Sequence, residues 1–228
     1  DLNEEISISV TTNGTICNNE IIQTIVKYRI KVTISLDSLQ PDYYKKIRKG
    51  LNLNSLLDTI QKLVSVPEIQ PNVSLRVTVN KFNLEELTDI VDFCVSNGIP
   101  RLKINTTNLY GRAKNNGEII LDFVAFLNKL EEIRSYAKKY RDELVVELPV
   151  KKYLENSAQK CTLGNNSLYL DPNGNIYPCA FSENKLCLGN VYLENIEGLM
   201  LSINKFSHDN CVCRNCPIHR YENKKINV

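Results

Sequence analysis

Eight cysteines are spread unevenly along the 228 residues. Cys17 and Cys94 stand alone, whereas Cys161, Cys179, Cys187, Cys211, Cys213 and Cys216 crowd the C-terminal part. No secretory n-region and h-region open the chain, so such a cluster reads as a metal site rather than a disulfide framework. Cys161 and Cys179 flank the segment SLYLDPNGNIYP, residues 167–178, in which two apolar runs surround Asp-Pro-Asn-Gly. That pattern predicts a β-hairpin, which would bring its two ends, and both cysteines, to one place. Cys213 and Cys216 form a Cys-x2-Cys pair, which presents two thiolates on one side of a tight loop. Four soft sulfur ligands suit zinc or an iron–sulfur cluster. A structural zinc more often shows two short-spaced pairs, and here only one is short, which weighs against zinc. Cys211, separated from Cys213 by one residue, is an alternative ligand, and Cys187 reads as packing.

A second group of residues follows strand-like runs. Ser35 and Asp37 come at the end of a buried run, where parallel α/β folds gather ligands. Asp37 or Ser38 could instead cap a following helix. Asn13 and Gly14 are open to both a binding and a plain turn reading. Arg76, in mid-strand, is costly to bury without an anionic partner, either a ligand carboxylate or an internal one. Asn80 follows the same strand. Cys94 lies on an apolar helical face and reads as core; Cys17 reads as packing. His208 and His219 have no partners at catalytic spacing and read as surface. No Ser-His-Asp set or phosphate loop appears, and no side chain is singled out as catalytic.

These residues need elements to position them. Buried strands are predicted over Ile6–Thr11, Lys31–Leu36, Val73–Val79 and around Leu102–Ile104, with a short one at Leu144–Leu148. Helices are predicted over Asn19–Tyr28, Leu53–Val64, Leu84–Asn97 (stopped by Gly98), about Ile119–Tyr140, and Ile196–Phe206. Strands alternating with helices imply an α/β fold with a parallel sheet and helices outside. Only four such βα strands are visible, too few to close a barrel. The texture changes near residue 155, which divides the chain into residues 1–155 and 156–228.

The order of these motifs resembles radical S-adenosylmethionine enzymes. The run Cys161-x12-Gly174-x4-Cys179 is similar to the opening of the SPASM and twitch domains appended to them, and GNVY after Cys187 fits the same pattern. TTNG at Thr11–Gly14 resembles the end of the third barrel strand and SLDS at Ser35–Ser38 the end of the fourth. Arg76 and Asn80 in LRVTVN match the fifth, and YGRA at Tyr110–Ala113 follows the sixth. The resemblance implies a partial (β/α)6, TIM-like barrel over 1–155 and a twitch/SPASM-type auxiliary cluster domain over 156–228. It implies S-adenosylmethionine contacts from Asn13, Gly14, Ser35, Asp37, Arg76, Asn80, Tyr110 and Gly111. It further implies an auxiliary 4Fe-4S cluster on Cys161, Cys179, Cys213 and Cys216.

In intact form, such an enzyme uses a second 4Fe-4S cluster to cleave S-adenosylmethionine reductively, and the resulting radical abstracts hydrogen from substrate. A peptide or small-molecule substrate, an oxidative modification of it, and a reductant such as ferredoxin or flavodoxin are implied. The Cys-x3-Cys-x2-Cys loop and the Gly-Gly-Glu-Pro-like segment of the family are absent; both would precede Asp1, so these residues alone are expected to be inactive. No cysteine follows Cys216, which is similar to the one-cluster twitch form or to a tail cut short. A non-catalytic iron–sulfur or zinc-binding scaffold is the other reading.

Composition narrows the field further. A net charge of +2 with scattered lysines carries no footprint for nucleic acid. The apolar runs are too short to span a bilayer, and a cytoplasmic protein is expected.

Overall fold

The computed structural model describes residues 6–107, 121–149, 167–180 and 186–206. They fall into two compact units, 6–107 with 121–149, and 167–180 with 186–206. The boundary expected near residue 155 lies outside the described residues.

In the first unit, β1 (Ser9–Thr12), α1 (Asn19–Lys27), β2 (Lys31–Ser35), α2 (Pro41–Ile47), α3 (Leu53–Val64), β3 (Val73–Val79), α4 (Leu87–Ser96), β4 (Arg101–Thr106), α5 (Phe123–Ala137) and β5 (Val145–Glu147) follow in order. The five strands lie in chain order in one sheet, and every pairing is parallel. This is the open arc that repeated βα units dictate, because each crossover helix returns the chain in the same direction. The strand at Val145–Glu147 joins the same sheet, so it has five strands rather than the four expected.

Alternation divides the sheet into two faces. Val32, Ile34, Val73, Leu75, Val77, Val79, Leu102 and Ile104 are buried with Leu56, Ile60, Leu63, Leu87, Ile90, Val91, Leu130 and Ile133 of the helices in one apolar core. The opposite face carries Thr33, Ser35, Ser74, Arg76, Thr78, Lys103 and Asn105, set side by side by the register.

The expected helix boundaries hold closely where caps are strong. Asn18 and Asn52 accept hydrogen bonds from Ile21 and Ser55 N–H and start α1 and α3. Helix α4 begins at Leu87 rather than Leu84, and the expected 119–140 helix is α5 followed by a 3₁₀ turn over Lys138–Tyr140. Helix α2 follows Asp37 and Ser38, where the sequence leaves a helix cap open. It is short, has Gln40 as N-cap without a side-chain cap, and starts on Pro41. Neither Asp37 nor Ser38 caps it; Ser38 Oγ accepts from Gln40 N–H in a tighter turn.

One burial expectation fails. The run Ile6–Thr11 was read as a buried strand, yet Ile6, Ile8 and Val10 are 83%, 42% and 44% exposed. Among the described residues β1 pairs with β2 alone, so it is an edge strand and its apolar side chains lack a neighbour on that side.

The second unit holds the hairpin β6 (Tyr169–Leu170) and β7 (Asn175–Tyr177), with β8 (Gly189–Asn190) antiparallel to β7, followed by α6 (Ile196–Asn204). The hairpin signal in the sequence is realised; β8 was not expected, being a two-residue strand with no alternation to read.

Candidate functional site at the strand ends

The predicted cofactor-contact residues converge on the C-terminal ends of the parallel strands. Gly14 lies two residues past β1, Ser35 ends β2, Asp37 follows it, and Asn80 follows β3. Ser35 and Arg76 are register partners on adjacent strands. Tyr110 and Gly111 lie outside the described residues.

Asp37 is 2% exposed, and both its oxygens are engaged. Oδ2 accepts from Arg48 Nε at 2.6 Å, and Oδ1 accepts from the Thr78 N–H at 2.8 Å. The carboxylate therefore ties the end of β2 to β3 and to the residue that ends α2. Asn80, also buried, folds back: Nδ2 donates to Thr78 O at 3.2 Å and Oδ1 accepts from Phe82 N–H at 2.9 Å. Ser35 Oγ accepts a long bond from Arg76 Nη2 at 3.4 Å. Among the described residues Arg76 has no carboxylate within ion-pair distance.

At the end of β1, Asn13 is exposed and spends Oδ1 on Thr15, accepting from its N–H and its hydroxyl. Gly14 is buried at φ +69°, and a Cβ there would stand 2.5 Å from Leu56 Cδ1 and 3.5 Å from Ile34 Cγ2. The space a side chain would need is occupied by core atoms, so the glycine is required by packing as well as by its backbone angle.

Three residues complete this rim and went unread in the sequence. Asn83 is fully buried; its Nδ2 donates to Asp37 O and Thr78 O, and its Oδ1 accepts from Asn80 N–H. Glu86, 6% exposed, accepts from Ser38 Oγ at 2.8 and 2.9 Å and from Leu39 N–H at 2.8 Å. Arg48 holds Asp37. Asn83 lies 46 positions from Asp37, and Glu86 lies 48 from Ser38 and 47 from Leu39, separations at which sequence carries no pairing signal. Together they make the rim rigid: the loops after β2 and β3 are pinned to each other, and the half-buried Arg76 remains on the polar face with its guanidinium available to an anion.

The second unit shows one of the four expected cluster ligands. Cys179 lies two residues past β7 and is half-buried. Cys161, Cys213 and Cys216, and the alternative Cys211, lie outside the described residues, as do His208 and His219. Among the described residues no group of three His, Cys, Asp or Glu is placed to hold a metal. Cys187 was read as packing but is exposed, its thiol donating to Gly189 O at 3.4 Å. The hairpin that carries Cys179 is firmly built. Asp171 Oδ1 accepts from the Asn173 and Asn175 N–H groups, and Gly174 takes φ +84° with Tyr192 Cδ2 2.4 Å from where a Cβ would sit. A thiol donor at the end of such a hairpin fits a soft metal centre in its chemistry.

The lone cysteines of the first unit behave as expected. Cys94 is buried, and burial pushes its thiol up to about 12. Cys17 packs half-buried against the core, its thiol raised by burial against the opposing charge of Lys62.

Comparison with known proteins agrees with this geometry. Residues 1–94 match the family model of the radical SAM superfamily, and residues 161–217 match that of SPASM, an iron–sulfur cluster-binding domain. Residues 1–94 thus form a radical SAM region and residues 161–217 a SPASM domain. It is 23% identical over 228 residues to the antilisterial bacteriocin subtilosin biosynthesis protein AlbA of Bacillus subtilis, covering 94% of this chain and 49% of AlbA. It is 26% identical over 210 residues to the GTP 3′,8-cyclase of Clostridium botulinum, covering 87% of this chain and 63% of the cyclase. The fold is that of SuiB from Streptococcus suis, solved with S-adenosylmethionine, at a TM-score of 0.66 and 18% identity over 94% of this chain and 54% of that one. The chain thus spans about half the length of AlbA and SuiB.

Proposed function

We propose that this chain is a portion of a radical SAM enzyme that oxidatively modifies a peptide. The observation that carries this reading is the pairing, in one chain, of a parallel α/β unit whose polar rim is preassembled with a thiol-bearing hairpin of the SPASM family. S-adenosylmethionine and its 4Fe-4S cluster supply the hydrogen-abstracting radical when bound, and the auxiliary cluster supplies an electron acceptor or a substrate anchor.

The residues have narrower tasks. Arg76, half-buried and without a carboxylate partner among the described residues, would pair with an anionic group of the cofactor beside Ser35 Oγ. Asp37, Asn80, Asn83 and Glu86 spend their polar atoms within the protein, and their role is to hold the rim so that Arg76 and Ser35 meet the ligand without reorganising. The close packing of Leu56 and Ile34 beneath Gly14 sets the height of the first loop. Asn13, Tyr110 and Gly111 belong to the same proposed contact set. Cys161, Cys179, Cys213 and Cys216 would hold the auxiliary cluster, with the domain boundary near residue 155.

The AlbA likeness supports a peptide as substrate. A reductant of the ferredoxin or flavodoxin type would supply the electron. No helix among the described residues is long and apolar enough to cross a membrane, which is compatible with a cytoplasmic enzyme.

The test is iron, sulfide and zinc content with the visible spectrum on the full-length gene product purified without oxygen, followed by formation of 5′-deoxyadenosine under a chemical reductant. The reading expects about four irons for the auxiliary site, their loss in C179A, and 5′-deoxyadenosine from the wild type. One zinc and no colour would make the C-terminal unit a structural staple. No 5′-deoxyadenosine from cluster-loaded protein would overturn the enzyme reading.

A further inference from the structure

The polar face of the five-stranded sheet carries positive charge that the described residues do not answer. The register places Ser35, Arg76 and Lys103 side by side on β2, β3 and β4, with Glu147 next on β5. Neighbouring strands lie about 4.8 Å apart, so Arg76 and Lys103 are adjacent like charges on one face, an arrangement that is unfavourable by itself. Both are half-buried, which deprives them of part of the water that would screen them.

The carboxylates that could compensate are engaged elsewhere. Glu147 turns to Arg101, 2.8 Å away. Asp37 is held by Arg48 and the Thr78 N–H, and Glu86 by Ser38 and the Leu39 N–H. Arg76 leans toward β2, its Nη2 donating to Ser35 Oγ. Lys103 stands on the other side of it, one strand further along, and has no hydrogen-bond or ion-pair partner among the described residues. The face therefore presents two separate cations, one bonded to Ser35 and one without a partner among the described residues.

We infer that Lys103 is a specificity-determining residue that binds a carboxylate of the substrate, apart from the group held by Arg76. This rests on the radical SAM reading above and narrows it to substrates with an acidic group near the reacting position, either a side-chain carboxylate or a C-terminal one. A substrate anion at Lys103 would also relieve its repulsion with Arg76.

The test uses the cluster-loaded full-length protein as wild type, K103M and K103R. Dissociation constants are measured by NMR titration with N-acetylglutamine, which has a free α-carboxylate, with N-acetylglutamic acid α-amide, which has only the side-chain carboxylate, and with neutral N-acetylglutamine amide. S-adenosylmethionine is titrated in parallel. The wild type should prefer one acid over the neutral amide by about tenfold, as a charge-assisted hydrogen bond implies, and the preferred acid identifies the source of the carboxylate. K103M should erase that preference, K103R should keep it, and neither should alter S-adenosylmethionine binding. Absence of an acid preference in the wild type, its survival in K103M, its loss in K103R, or weaker S-adenosylmethionine binding in K103M would each overturn the inference. If the wild type fails to bind S-adenosylmethionine, the radical SAM reading fails, while the acid titrations still judge Lys103.

Discussion

Asp37 and Glu147 are both paired with an arginine, and their surroundings give the two pairs very different weight. The Asp37 side chain is 3% exposed and bonded to Arg48 and a backbone N–H, whereas Glu147 and Arg101 are 43% and 48% exposed. D37N keeps an acceptor for Thr78 but leaves Arg48 without its anion, and should cost about 1–3 kcal/mol in urea unfolding. E147Q should stay within about 0.5 kcal/mol in the same assay, because water already screens that pair. The cysteines contrast in the same way. Iodoacetamide at mildly alkaline pH should modify the exposed Cys187 in native, metal-free protein, as read by mass spectrometry. Cys94, buried and pushed up to about 12, should react only after unfolding.

Helices α4 and α5 are clasped by a polar cluster on their outer side. Tyr136 and Tyr140 hydroxyls donate to the Asp92 carboxylate at 2.7 to 2.9 Å, and Lys139 Nζ sits 3.6 Å from the Tyr136 ring centroid. The Tyr136 hydrogen bond holds the Asp92 carboxyl below its ordinary value against the opposing effect of burial, with Tyr140 and the Lys139 charge adding to it. A carboxyl depressed in the folded state contributes stability above its unfolded value of about 3.9, and that contribution disappears as pH falls through the lower folded value. Urea unfolding followed from pH 5 downward should therefore show a loss of stability in the wild type that is shallower in Y136F. In the second unit, G174A should destabilise the hairpin by about 1–3 kcal/mol, since φ +84° is unfavourable for alanine and Tyr192 fills the space. Weaker iron retention should accompany it if Cys179 is a ligand.

At the scale of the whole molecule, the core of the first unit is closed by its own helices on the apolar side of the sheet and includes no cluster ligand. Hydrogen exchange should show slow amides in β2, β3 and β4 whether or not iron is chelated, while β6 and β7 should lose protection when the metal is removed. Equal loss across both units would mean that the metal supports the first unit as well.

Strong local signals carried most of the elements: helical patterns for α1 and α3, the Val- and Thr-containing run for β3, and Asp-Pro-Asn-Gly for the hairpin. The residues after each strand likewise marked the rim of the first unit, because parallel-strand chemistry demands particular residue types at fixed chain positions, while the cysteine spacing marked a proposed metal site of which only Cys179 is described. The third dimension decided the rest. Whether Ile8 and Val10 are buried depends on which strand lies beside them, and alternation along one strand is silent about that. Asp37, Asn83 and Glu86 are joined across nearly fifty residues by hydrogen bonds that no local pattern encodes. Lys103 is an ordinary lysine in sequence; it stands beside Arg76, unanswered, only because parallel register aligns the two strands and turns Glu147 toward Arg101.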